Sequence, residues 1–95
     1  LSVSNDINHF SLIETYPNPF NPNLSIEFQI SKIGLANVSV YDILGNKIET
    51  LYNDIVEPNK FNYLTWNANN YSSGEYIIKL EFDENFVTQK VTLLK

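Results

Sequence analysis

The fold class follows from the stretch Tyr16-Pro17-Asn18-Pro19-Phe20-Asn21-Pro22-Asn23-Leu24-Ser25-Ile26-Glu27-Phe28-Gln29-Ile30. Its first half, which we call the strap (residues 16–22), is rich in proline. Each proline fixes its own φ and moves the preceding residue out of the helical region, so the strap must be extended or turned. In residues 24–30 apolar and polar side chains alternate, which is the period of a half-buried strand. The strap is therefore a stiff corner leading into a β-domain or, alternatively, a proline-rich ligand for a partner domain.

Short strand patterns recur along the rest of the chain, separated by turn residues about every 8–12 positions. Gly45 and Asn46 suit a tight hairpin, and residues 83–85 suit another, whereas residues 53–60 and 68–74 are predicted to be loops. No segment keeps the helical period for long. The predicted strands are Phe10–Thr15, Leu24–Ile30, Val38–Leu44, Ile48–Leu51, Phe61–Asn67, Tyr76–Phe82 and Phe86–Leu94.

This arrangement predicts an all-β domain over residues 10–95, preceded by a polar linker at residues 1–9. Short strands at this spacing are typical of an Ig-like antiparallel β-sandwich, here of about seven strands. We expect Trp66, Phe28 and Tyr76 to be the large core side chains. Because the chain starts at a leucine and shows no apolar leader, we interpret it as a piece of a longer precursor, with the linker joining an upstream domain.

The composition excludes several classes of function. The chain has 95 residues, a net charge of −5, six lysines and no arginine, and the lysines are scattered. A nucleic-acid surface or an anionic-membrane patch needs clustered cations, so we expect neither partner. The absence of cysteine removes disulfides and thiolate metal sites. No apolar run is long enough to cross a bilayer, which argues against direct membrane insertion.

Residues that could carry catalysis are few, and we expect neither an enzyme nor a cofactor. The only histidine, His9, lies in the predicted linker. Asp83 and Glu84 could offer oxygens to Ca²⁺, but they lack the spacing of a calcium loop, and a solvated hairpin is the plainer interpretation. The aromatic side chains could form a carbohydrate-binding platform, for which Tyr52, Tyr63 and Tyr71 are the candidates expected to face solvent.

Five motifs occur in a characteristic order, namely the strap, Val38–Ile48, Leu64–Asn67, Ser73–Tyr76 and Lys90–Lys95. Each motif is short, but together and in this order they resemble the type IX secretion system C-terminal sorting domain, type A, also called the Por secretion tail. The resemblance extends from about Tyr16 to Lys95, which is nearly the whole chain. It implies a seven-stranded Ig-like sandwich that follows a cargo domain.

The resemblance also implies a function, which is that of a non-catalytic sorting signal. Such a domain leads cargo from the periplasm through the outer-membrane translocon to the cell surface or the medium, with a shuttle protein and a surface sortase as further partners. The sortase would cut within or before residues 1–9, and the cargo would be released or joined to lipopolysaccharide. Recognition would then involve Pro17, Asn18, Pro19, Gly74, Tyr76, Lys90, Val91, Leu93, Leu94 and Lys95.

The residues leave other readings of the same fold open. The apolar run of Val91, Leu93 and Leu94 suggests a last strand whose edge could pair with a strand of a partner. An Ig-like structural or adhesive module that self-associates at the cell surface is one alternative function, and a carbohydrate-binding module is another, because one sandwich fold hosts all of them.

Overall fold

A computed structural model describes residues 11–95, and over these residues the protein is built from strands and connecting turns without a helix. The predicted linker at residues 1–9 and the predicted strand start at Phe10 lie outside the described residues. The strands, in chain order, are β1 (Ser11–Tyr16), β2 (Asn23–Ile30), β3 (Gly34–Asp42), β4 (Lys47–Val56), β5 (Asn62–Asn67), β6 (Gly74–Phe82) and β7 (Asn85–Leu93).

The strands form two antiparallel sheets with the orders β1-β2-β5 and β4-β3-β6-β7. Alternate side chains of each strand point between the sheets, so the period of two in the sequence becomes the interior of a sandwich. In β2 the exposed fractions of Leu24, Ile26, Phe28 and Ile30 do not exceed 1%. The predicted all-β, Ig-like sandwich is confirmed.

The large side chains expected in the core are found there. Trp66 and Phe28 are fully buried and Tyr76 is 8% exposed. Trp66 is the centre of an aromatic group, because its ring lies 5.5 Å from the ring of Phe20 and 5.4 Å from that of Tyr76. Burying one large apolar side chain contributes about 1.5–3 kcal/mol. This aromatic group therefore holds one end of the two sheets together.

The fourth strand is longer than the sequence pattern predicts. Residues 53–56 were expected in a loop, but they continue β4, and Val56 pairs with Gly34 and is buried. Asn53 and Asp54 are exposed on this edge strand, so their polar character does not mark a loop. The pairing of β3 with β4 shifts register twice, which leaves Ile48 and Leu51 as extra residues and places Glu49 opposite Val40.

The loops divide between two ends of the sandwich. At one end, which we call the strap end, lie the strap, the β3–β4 loop (43–46), the β5–β6 loop (68–73) and residues 94–95. At the other, the far end, lie residues 31–33, 57–61 and 83–84 together with the start of β1. Four of the five motifs that were singled out in the sequence therefore reach the strap end, and the fifth, Leu64–Asn67, ends beside it.

Candidate recognition surface

The strap is attached to the last strand by its central phenylalanine. Phe20 is 2% exposed, and its ring packs on Trp66. Its backbone N–H donates to the carbonyl oxygen of Thr92 at 2.9 Å, and the N–H of Leu94 donates to the carbonyl oxygen of Phe20 at 3.0 Å. These two bonds form a parallel bridge between Phe20 and Leu93. The strap thus leaves the first sheet, joins the second at β7 and returns to the first at β2.

Asn18 fixes the strap to the same strand with its side chain. Its Nδ2 donates to the carbonyl oxygen of Lys90 at 3.3 Å, and its Oδ1 accepts from the N–H of Thr92 at 2.9 Å. The amide therefore satisfies two backbone groups of β7 as a neighbouring strand would. Asparagine suits this role because it carries a donor and an acceptor on one short side chain.

The strap covers the edge that the sequence suggested was free. Four backbone groups of residues 90–94 bond to Asn18 or Phe20, namely Lys90 O, Thr92 N, Thr92 O and Leu94 N. A strand of a partner cannot use these groups while the strap is in place. The expectation of a free edge over residues 90–94 is therefore wrong, because the strap occupies the position of a next strand.

The β5–β6 loop is joined to both the strap and the end of the sequence. The N–H of Ala68 donates to the carbonyl oxygen of Pro22 at 2.9 Å. The Nζ of Lys95 donates to the carbonyl oxygen of Asn69 at 2.6 Å, and its backbone N–H donates to Ser73 Oγ at 2.9 Å. Three segments far apart in sequence thus form one continuous surface, which we call the recognition surface (strap, residues 68–74 and residues 90–95).

Of the ten site residues predicted from the sequence, some are exposed on this surface and others build it from within. Tyr76 hydrogen-bonds the carbonyl oxygen of Ser72 at 2.6 Å from a nearly buried position, and Val91 and Leu93 are fully buried. Gly74 pairs with Leu93 at a φ of 154°, a conformation that favours glycine. The exposed members are Pro17, Asn18, Pro19, Lys90, Leu94 and Lys95.

Residues 14–94 match the family model of the secretion system C-terminal sorting domain, and thus cover nearly all of the chain. The chain belongs to this family. Matches among curated proteins and among solved structures are absent. Membership makes the domain a type IX secretion sorting signal of a secreted or cell-surface protein, recognised by that secretion system, and the family is one of non-catalytic sorting domains.

One polar contact that stabilises this sorting domain was not found from the sequence. Glu49 Oε1 accepts from Trp66 Nε1 and from the Tyr71 hydroxyl, each at 3.0 Å. Desolvation, followed by this hydrogen bond to Glu49, raises the pKa of Tyr71. A buried indole N–H requires an acceptor, so the predicted burial of Trp66 already indicated that some acceptor lies beside it. The acceptor itself could not be named, because the register shifts in β4 turn Glu49 inward.

The tyrosine platform considered for sugar binding is not formed on the sorting domain. Tyr63 is 67% exposed as expected, but Tyr52 and Tyr71 are half-buried. The ring of Tyr52 lies 5.4 Å from that of Phe28, and Tyr71 packs 5.6 Å from Trp66. The expectation that all three face solvent is therefore wrong, since two of them pack against the core.

Other kinds of site lie away from the recognition surface or are not found. A shallow depression of about 360 Å³ lies at the far end, beside Leu35, Phe82 and Asp83. Within residues 11–95 there is no group of three side chains suited to holding a metal ion. The same part of the chain contains no helix of the length and hydropathy that crossing a membrane requires.

Proposed function

We propose that the type IX secretion system reads the folded recognition surface, and that this contact leads the attached cargo out of the periplasm through the outer-membrane translocon. The observation that supports this most directly is the bridge from Asn18 to Lys90 and Thr92. It joins the strap motif to the last motif across more than 70 residues of sequence. The motifs form a single surface only after folding, so a partner that needs both must bind the folded domain.

The residues of this surface fall into two groups, those exposed to a partner and those that hold the surface in place. Pro17, Asn18, Pro19 and Lys95 are exposed and are available to a partner. Tyr76, Val91 and Leu93 act by holding the strap and the loop in place, because their side chains are buried. Changes at the buried residues would therefore reduce export through the fold, and changes at Pro17 and Pro19 would reduce it through binding. Changes at Asn18 and Lys95 would act in both ways, because their side chains also bond to residues 69, 90 and 92 within the domain.

In this proposal a shuttle protein and the translocon contact the surface in turn, and a surface sortase then separates the domain from its cargo. The cut would fall within or before residues 1–9, which would follow the cargo in the sequence. The cargo would finish at the cell surface, joined to lipopolysaccharide, or in the medium. The domain itself contributes recognition and no chemical step.

The test is an export assay in a host with an active type IX system. The whole chain is fused behind a periplasmic fluorescent reporter, and export is measured as the fraction of reporter outside the periplasm. We expect Lys95→Ala and Asn18→Ala to reduce export severalfold. The matched controls are Lys60→Ala and Asn85→Ala, because these residues are exposed at the far end.

Thermal unfolding of each purified variant separates lost binding from lost folding. Deleting residues 90–95 is a weaker test, because it also removes the buried Val91 and Leu93. Retention of the unaltered fusion in the periplasm, or equal export of the strap-end and far-end variants, would contradict the proposal. A folded strap-end variant that is not exported, beside far-end variants that are, would support it.

A further inference from the structure

The β3–β4 loop, which we call the tip (residues 43–46), lies at the strap end but has no part in the contacts described above. Its position follows from the pairing of Asp42 with Tyr76 at the start of β6. Two adjacent aliphatic side chains project from it. Ile43 is 58% exposed and Leu44 is 83% exposed, which is more than any other large apolar side chain among the described residues.

The tip is held rigidly by the residue that precedes it. The carboxylate of Asp42 accepts the N–H of Leu44 at 3.0 Å and the N–H and side-chain amide of Asn46 at 2.9 and 3.2 Å. Backbone bonds between Asp42 and both Gly45 and Asn46 close the turn. These N–H groups, that of Asn46 first, lower the pKa of the Asp42 carboxyl. The carboxyl is therefore charged at neutral pH and keeps the turn closed.

Two apolar side chains on a rigid turn are better suited to binding a partner than single apolar side chains scattered over a surface. A single exposed leucine is ordinary and needs no explanation. Here two neighbouring aliphatic side chains stand on a turn whose backbone is already ordered. A partner that buries them does not have to immobilise the loop, so more of the gain from burial remains as affinity.

The charges around the tip indicate the chemistry of such a partner. The carboxylates of the strap end are engaged within the domain: Asp42 binds backbone N–H groups, Glu49 accepts from two aromatic side chains, and Glu75 lies 3.7 Å from a lysine ammonium. Asp42 and Glu49 are also half-buried, whereas Lys47 and Lys95 are exposed at the same end. The ammonium of Lys47 lies 5.9 Å from the Tyr41 ring and that of Lys95 donates to Asn69, but neither contact neutralises the positive charge. The loops of the far end carry three exposed carboxylates, those of Glu57, Asp83 and Glu84. The tip would therefore complement a surface with acidic groups.

We propose that the tip is an apolar anchor that enters an apolar pocket with an acidic rim on the type IX component that binds the recognition surface. Ile43 and Leu44 fill the pocket, Lys47 faces its rim, and Asp42 is a positioning residue. The proposal rests on the proposed function and extends the contact to the β3–β4 loop.

The experiment compares two exposed aliphatic residues in loops at opposite ends of the sandwich. Leu44→Asp is expressed in the reporter fusion beside Ile33→Asp, whose side chain is 63% exposed at the far end. Both changes add one negative charge. We expect export to fall about tenfold or more for Leu44→Asp, as for truncation of a central interface side chain, and less than about twofold for Ile33→Asp. Leu44→Met, which keeps a large apolar side chain at this position, should leave export nearly unchanged.

A second pair tests the charge of the partner surface. Lys47→Glu should reduce export severalfold, whereas Lys60→Glu at the far end should leave it nearly unchanged. Leu44→Ser is measured as well, because it changes polarity without charge and remains informative if Leu44→Asp unfolds. Thermal unfolding midpoints of the variants should stay close to that of the unaltered domain, since the substituted side chains are exposed.

The outcomes separate this inference from the function on which it rests. If the unaltered fusion stays in the periplasm, the proposed function and the role of the tip are both overturned. If the unaltered fusion is exported and folded Leu44→Asp or Leu44→Ser is exported equally well, only the role of the tip is overturned. An equal loss in Leu44→Asp and Ile33→Asp would also overturn it, because the effect would not belong to the tip.

Discussion

Removing the acceptor that Trp66 and Tyr71 share should destabilise the domain strongly. Glu49→Ala would leave the indole N–H of a fully buried tryptophan without its partner at 3.0 Å and would also free the hydroxyl of Tyr71. An unsatisfied buried donor costs about 1–3 kcal/mol, and the half-buried hydroxyl adds less because water can reach it. We expect a loss of about 2–3 kcal/mol in the free energy of unfolding.

The size of this loss can be judged against the whole domain. A domain of this length has a stability of about 5–14 kcal/mol, so the substitution would remove a large part of it. The melting temperature should fall by roughly 10–20 °C. Glu49→Gln keeps an acceptor oxygen at the same place, and its loss should be about 1 kcal/mol or less.

The assay is urea unfolding followed by far-ultraviolet circular dichroism and by the fluorescence of the single tryptophan. Glu75→Ala is the matched control, because Glu75 forms a surface ion pair with Lys90 at 3.7 Å and should contribute at most about 1 kcal/mol. A loss below about 0.5 kcal/mol for Glu49→Ala would refute the reasoning. Equal losses for Glu49→Ala and Glu49→Gln would show that the charge, and not the acceptor oxygen, is what matters.

Three further predictions concern the strap, the first sheet and the tip. Phe20→Ala should cost about 3–5 kcal/mol in unfolding experiments, because it empties a buried ring site; a loss under about 1 kcal/mol would contradict this. Glu27→Lys should stabilise the domain by about 0.5–1 kcal/mol at low salt, since Glu27 lies directly opposite Glu14. High salt screens an exposed ion pair, so a gain that is unchanged in about 1 M salt would rule out this cause. The pKa of Asp42 is lowered in the folded domain, so its contribution is present above the unfolded pKa of 3.8 and is lost as pH falls through the folded pKa. Asp42→Asn should remove this part of the acid sensitivity, which unfolding measured between about pH 2 and 7 would detect; an unchanged pH profile would exclude Asp42 as its source.

The architecture was predictable because it depends on local patterns. The alternation in Leu24–Ile30 fixes which face of β2 is buried, and the prolines of the strap exclude helix. The positions of the hairpins also follow from residues such as Gly45, whose φ is 91°. The pattern failed at residues 53–56, because an edge strand can carry polar side chains on both sides and then resembles a loop.

The recognition surface was predictable only as separate pieces. The motifs around Asn18, Gly74 and Lys95 could be named from the sequence, and the structure brings them to one end of the sandwich. Their division into exposed and buried members was only partly predictable. The alternation in the sixth strand placed Tyr76 in the core, but the apolar run of Val91, Leu93 and Leu94 did not show that Leu94 lies past the end of β7 and is exposed.

The sequence by itself determined most of the strands, their buried faces and the family, because these depend on the spacing of neighbouring residues and on the order of short motifs. The tertiary structure alone decided that Asn18 bonds to the edge of the last strand, that the edge at residues 90–94 is covered, and that Glu49 turns inward to Trp66. These contacts join residues 17 to 74 positions apart. They depend on strand order and on two register shifts, and neither of these leaves a periodic trace in the chain.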